Sequence, residues 1–165
     1  MRRCLGLVLL LSMTAGACSI EVGDVRVGPA PICDTTSRGL LILMAQAVPT
    51  AELIPCVESL PPGWAVEWAE IETDSAELSF DGGNVGDVTV ELEATCDPAG
   101  DAIDVEPGLD LVAFELVDDE LTRYYVFTGG CVTVVAPDRP ASSELTSELG
   151  FLTRKDLSDV SGLEL

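Results

Sequence analysis

The sequence predicts an α+β domain, with a mainly antiparallel sheet of about five to six strands, an N-terminal helical hairpin and short C-terminal helices. Three observations carry this. Apolar residues recur at every second position through the middle of the chain, turn-forming residues separate those runs, and helical spacing is confined to the stretches on either side.

The first 17 residues stand apart from the fold. Arg2 and Arg3 precede an apolar stretch from Leu5 to Leu11, and Ala15-Gly16-Ala17 supplies a small-residue cleavage site, the three regions of a secretory signal. The apolar run is shorter than the roughly 20 residues that cross a bilayer. Ala15-Gly16-Ala17-Cys18 also resembles a bacterial lipobox, with Ala15 where lipoproteins usually carry Leu, and either peptidase cuts before Cys18. Cleavage discards Cys4 and leaves Cys18, Cys33, Cys56, Cys96 and Cys131, an odd set for an oxidising compartment. Lipid on Cys18 removes the odd thiol and anchors the chain, because two acyl chains hold where one is marginal. The alternative is a freely secreted protein with a free Cys18 thiol. Residues 19 to 31, with Gly23, Gly28, Pro29 and Pro31, suit a tether. The expected organisation is a signal at 1–17, a lipidated N-terminus and tether at 18–32, and one globular α+β domain at 33–165.

Within that domain, Leu40, Leu41, Leu43 and Met44 recur at helical spacing from Thr36 to Ala47, and Pro49 stops the run. Thr50 is read as opening a second short helix that reaches Ser59. Antiparallel packing of the two helices would bring Cys33 and Cys56 together. After Pro61-Pro62-Gly63 the period becomes two. Trp64, Val66 and Trp68 are expected on one face, followed by Leu78 and Phe80, then Val88, Val90, Leu92, Ala94 and Cys96 opposite Thr89, Glu91, Glu93 and Thr95. A second block, Leu111 to Val117, Leu121 to Phe127 and Cys131 to Ala136, reads as a three-stranded meander. With Cys33 and Cys56 paired, elimination leaves Cys96 with Cys131, tying the two blocks together. Pro137 and Pro140 end the sheet. A helix is expected from Glu144 to Leu149 behind Ser142, and a second one, capped by Thr153 with Asp156, runs through Leu157 and Val160 to Gly162.

Composition narrows function mainly by exclusion. The formal net charge is −21, and losing Arg2 and Arg3 with the signal makes it more negative by two, leaving Arg26, Arg38, Arg123, Arg139, Arg154 and Lys155 against 29 acids. Such a charge repels nucleic-acid phosphates and anionic lipid surfaces. The chain has no His, which removes Ser-His-Asp and Cys-His nucleophilic machinery and leaves general-base work to a carboxylate, Lys or Tyr. Paired cysteines without CxxC spacing offer neither a zinc nor a redox site. Glu91 with Glu93 is the most recognisable carboxylate pair for glycosidase-like chemistry, though a solvated strand face explains it more simply. Asp81, Asn84 and Asp87 on the glycine-rich loop 81–87 are a weak candidate for calcium, against which a plain hairpin turn is preferred. Tyr124 and Tyr125 should point to opposite faces, one in the core and one exposed beside Arg123 as a contact patch.

The segments Leu41-Ile42-Leu43-Met44-Ala45-Gln46, Ile54-Pro55-Cys56, Leu60-Pro61-Pro62-Gly63-Trp64 and Arg123-Tyr124-Tyr125-Val126-Phe127-Thr128-Gly129-Gly130-Cys131-Val132-Thr133 resemble a group of uncharacterised actinobacterial exported proteins. The resemblance implies an exported address and no activity. The expectation is therefore a non-enzymatic cell-envelope lipoprotein without a cofactor, held to the membrane through Cys18, whose acidic domain binds an envelope protein or small ligand and no nucleic acid. A small carboxylate-dependent hydrolase is the competing class.

Overall fold

The computed structural model describes residues 29–34, 38–104 and 110–165; the expected signal, Cys18 and most of the tether lie outside them. In chain order the elements are α1 (Arg38–Ala47), β1 (Leu53–Val57), β2 (Ala65–Glu72), β3 (Ser75–Asp81), β4 (Asp87–Glu93), β5 (Asp101–Ile103), β6 (Leu111–Val117), β7 (Leu121–Phe127), β8 (Gly130–Ala136), α2 (Arg139–Thr146), β9 (Leu149–Thr153) and α3 (Arg154–Ser161). Nine strands among the described residues form two sheets, more than the five or six expected.

The clean alternation of β4 suits a strand inside the larger sheet, with one face on the core. Val88, Val90 and Leu92 are buried, while Thr89, Glu91 and Glu93 face the other way. Asp81 closes the turn into β4 by accepting from the Gly83 backbone N–H at 2.7 Å. The two strand blocks are one antiparallel sheet in the order β2-β3-β4-β8-β7-β6-β5, with β4 beside β8 at the seam. Cys96 and Cys131 are bonded across that seam, Cα atoms 6.1 Å apart, so this disulfide clamps two meanders edge to edge. Gly129 turns β7 into β8 at φ +76°, and a Cβ there would stand 1.8 Å from the Thr50 carbonyl oxygen. Only glycine meets both demands.

The expected helical hairpin is absent, because the segment after α1 is a strand. Residues Leu53–Val57 are all buried, and Pro55 cannot donate to a helical ladder. β1 pairs instead with β9, Leu53 opposite Thr153 and Val57 opposite Leu149. Cys33 still reaches Cys56, for a different reason: Ile32 bridges Val57 in parallel, which sets the cysteine Cα atoms 5.0 Å apart. Near the C-terminus, the helix expected behind Ser142 begins earlier. Asp138 caps it by accepting from the Ala141 N–H at 2.9 Å, Pro140 fits its first turn, and residues 149–153 leave the helix for β9. Thr153 then caps α3 through Asp156 and Gly162 ends it in the left-handed region, as the sequence predicts.

One face of the large sheet carries the core. α1 packs on β1, β2 and β3, α2 packs on β4 and β8, and α3 lies against α1 and β9. Phe80, Leu78, Leu92, Val132 and Leu145 are fully buried between these layers. Arg154 locks the C-terminal elements to α1, with Nη2 donating to the carbonyls of Ala45 and Val48 at 2.7 Å each and Nε to Ala51 at 2.9 Å. The Ala45 carbonyl is one that the end of α1 leaves without a helical partner, and those of Val48 and Ala51 belong to the turn that follows. No helix among the described residues is long and apolar enough to cross a membrane, and the two disulfides fit an oxidising, extracytoplasmic environment.

Candidate functional site

Two regions of the large sheet are left for function, one on each face. On the inner face, β6 and β7 run past the end of the helical cover, and their register puts Glu115 opposite Arg123. Arg123 Nε donates to Glu115 Oε2 at 2.8 Å, and Arg139, at the start of α2, donates from Nη2 to Oε1 at 2.7 Å. Nη1 of Arg123 donates to Thr146 Oγ1, which in turn donates to the Ser142 carbonyl at 2.7 Å. One carboxylate thus ties α2 to the sheet at both ends of the helix. Burial alone would raise the Glu115 carboxyl, but the hydrogen bonds and charges of the two guanidinium groups outweigh it and hold it below the ordinary value. Beside this network, burial pushes the Tyr125 phenol up, against the opposing influence of Arg123. Above it opens a cavity of about 870 Å³, with Arg139, Ser143, Thr146 and Ser147 along α2 on one side and Ile103, Leu111, Leu149 and Phe151 on the other. Phe151 packs on Tyr125 with ring centroids 5.5 Å apart.

The outer face is partly covered among the described residues: Ser79 and Cys131 are buried on it, Cys131 beneath its bond to Cys96, while Phe114, Tyr124, Val126 and Thr133 are half-buried. Its side chains follow from the register: Glu70 lies opposite Glu77, Glu77 opposite Glu91, Glu91 opposite Thr133, Thr133 opposite Tyr124, and Tyr124 opposite Phe114. The first half of that row is a ladder of three glutamates and the second half is aromatic. Neighbouring rows repeat the division, with Glu93 beside the acidic half and Val112, Val126, Leu116 and Val135 extending the apolar half. Partial burial raises the Glu77 carboxyl, helped by Glu70. It raises Glu91 as well, helped by Glu93 and Glu77.

Several sequence expectations are corrected here. Trp68 does not share a face with Trp64 and Val66. A bulge at Glu67 shifts the register, so Val66 opposes Phe80 in the core while Trp68 opposes Ser79 on the outer face. Trp64 is buried, its indole N–H donating to Glu144 Oε2 at 3.1 Å. Tyr125 is the core member of the tyrosine pair and Tyr124 the outer one, but Arg123 sides with Tyr125, since residues two apart on a strand share a face. Glu91 and Glu93 lie half-buried on the outer face, away from the inner-face cavity. Asp81 and Asp87 oppose each other where β3 meets β4, and Asp81 is occupied with the turn N–H. No group of three or more acidic or cysteine side chains placed to hold a metal occurs among the described residues.

No protein-family model, curated protein or solved structure matches. The Glu115 network escaped sequence reasoning, because its members come from β6, β7 and α2; the one available signal was that only six basic residues follow residue 17 and two of them flank the last meander strand.

Proposed function

We propose that this chain is an exported, non-enzymatic interaction protein of the cell envelope, lipid-anchored through Cys18, whose outer sheet face docks a basic protein partner. The observation that carries the reading is the divided outer face, where an apolar strip of Phe114, Tyr124, Val126 and exposed Val112 adjoins the Glu70-Glu77-Glu91 ladder. Phe114, Tyr124 and Val126 are half-buried and Val112 is exposed, and an apolar strip that stays partly accessible on a sheet suits an interaction surface. The adjoining carboxylates select the occupant. They repel a second copy of this acidic chain and an anionic lipid surface, and they complement a partner that carries lysine or arginine next to apolar side chains. Lipid attachment rests on Ala15-Gly16-Ala17-Cys18 and on the even set of four cysteines that remains, which the two disulfides consume. Against a hydrolase, the Glu115 carboxylate, only 11% exposed, is paired with two guanidinium groups that hold it below the ordinary carboxyl value, which is unsuited to a general acid.

Site-specific photo-crosslinking in the native host tests this. A photoreactive residue at Tyr124 is expected to give a discrete adduct with a protein bearing a basic face, and one at Asp159, on exposed α3, to give none. Glu77→Lys in the same chain should abolish the Tyr124 adduct. Identical patterns from both positions, or a second copy of this chain in the adduct, would overturn the docking reading. Mass spectrometry of the N-terminal peptide should find acyl chains on Cys18, and an unmodified thiol would make the protein freely secreted.

A further inference from the structure

We infer that the inner-face cavity is a second, separate binding site, one that takes a small organic anion with a flat apolar body and holds its charged end on Arg139. The inference does not depend on the docking surface, which lies on the opposite side of the sheet. It starts from how Arg139 is used. A guanidinium carries five N–H donors in a fixed fork. Among the described residues, Arg139 spends one on Glu115 Oε1 at 2.7 Å, and its side chain remains 59% exposed. Glu115, only 11% exposed and fixed from below by Arg123, therefore acts as a clamp that orients the remaining donors at the mouth of the cavity. This is the geometry that recognises carboxylate or phosphate oxygens.

The rest of the cavity extends the same logic. On α2, Ser143 and Thr146 follow Arg139 at spacings of four and seven, so one helix face presents a guanidinium and then hydroxyls along the cavity. Ile103, Leu111, Leu149 and Phe151 form the facing wall, which suits a flat apolar or aromatic body. Glu58 marks the other end. It stands against Gly150, beyond the C-terminus of α2, and it disfavours an anion there. Asp104, next to Ile103 on the facing wall, adds to the lining a second carboxylate that is unpaired among the described residues, so the ligand's charge is placed at Arg139, away from both. At about 870 Å³ the cavity accommodates a molecule of metabolite size.

Isothermal titration of the purified full chain with three probes tests this: phenylacetate, phenyl phosphate and the uncharged 2-phenylethanol. Inorganic phosphate serves as the anion without an apolar body. One of the two aromatic anions is expected to bind at least about 10-fold more tightly than 2-phenylethanol, and which of them wins tells carboxylate from phosphate. Arg139→Ala should erase that difference and leave 2-phenylethanol binding unchanged. Because Arg139 is largely exposed, the variant is expected to fold; should it not, the wild-type comparison decides alone. Equal affinity for anions and alcohol refutes the role of Arg139 while keeping an apolar cavity. Inorganic phosphate binding as tightly as phenyl phosphate refutes the apolar wall, and no binding by any probe refutes the site altogether. None of these outcomes touches the docking surface.

Discussion

Replacing Glu77 by Gln should make the protein more stable, and the size and pH dependence of the gain follow from the sheet register. Glu77 has a carboxylate directly opposite on each side, Glu70 on β2 and Glu91 on β4. A directly opposed like-charge pair costs a few tenths to 1 kcal/mol, so removing the shared member should relieve about 1 kcal/mol at neutral pH and low salt. For a domain of this size that corresponds to roughly 4 °C in Tm. The sign with pH is definite. Glu77 and Glu91 have raised carboxyl values in the fold, so the folded state binds their protons more tightly, and their cost is absent at low pH and grows as pH rises through those raised values. Glu115 behaves oppositely. Its lowered value contributes stability above the ordinary carboxylate range that is lost as pH falls through the lowered one. Thermal melts of wild type and Glu77→Gln should therefore diverge at pH 7, converge near pH 3.5, and draw closer in 1 M salt, where screening acts within about 3 Å and removes the repulsion but not the cost of burial. A variant that melts below wild type at pH 7, or whose gain is undiminished by high salt, would refute the ladder as a source of repulsion.

Other perturbations probe the joints of the fold. Arg154→Met strips the donors from the carbonyls of Ala45, Val48 and Ala51 and should cost about 3 kcal/mol by urea denaturation; a loss near zero would mean that water replaces the guanidinium without penalty. Ser142 is fully buried in α2 with a hydroxyl that has no partner, so Ser142→Ala should gain about 1 kcal/mol, and a loss would reveal a hidden partner. Gly129→Ala forces a Cβ into the Thr50 carbonyl at positive φ, and a drop of at least about 2 kcal/mol is expected from the same denaturation assay. Peptide mapping without reduction should recover Cys33 joined to Cys56 and Cys96 joined to Cys131, and any other pairing would contradict the seam clamp.

Local chemistry alone made much of this fold legible. Alternation at Val88, Val90 and Leu92, the turn residues around Asp81 to Gly86 and at Gly129, and the capping pair Thr153 and Asp156 each impose their element through neighbours close in the chain. The α+β class and the central meander follow from them. Elements decided by distant partners were not legible. Leu53–Val57 is wholly buried and carries no period, and it becomes a strand because Leu149–Thr153 lies beside it, almost a hundred residues later in the chain. The bulge at Glu67 that moves Trp68 to the outer face is likewise a matter of pairing with β3. The same division holds for function. Acidity, the absence of histidine and the cysteine count are properties of the chain as written, and they excluded whole classes of chemistry. The glutamate ladder, the outer aromatic strip and the gathering of Arg123 and Arg139 on Glu115 exist only once three or more strands are in register, because charge and burial at a point in space are sums over residues that the chain keeps far apart.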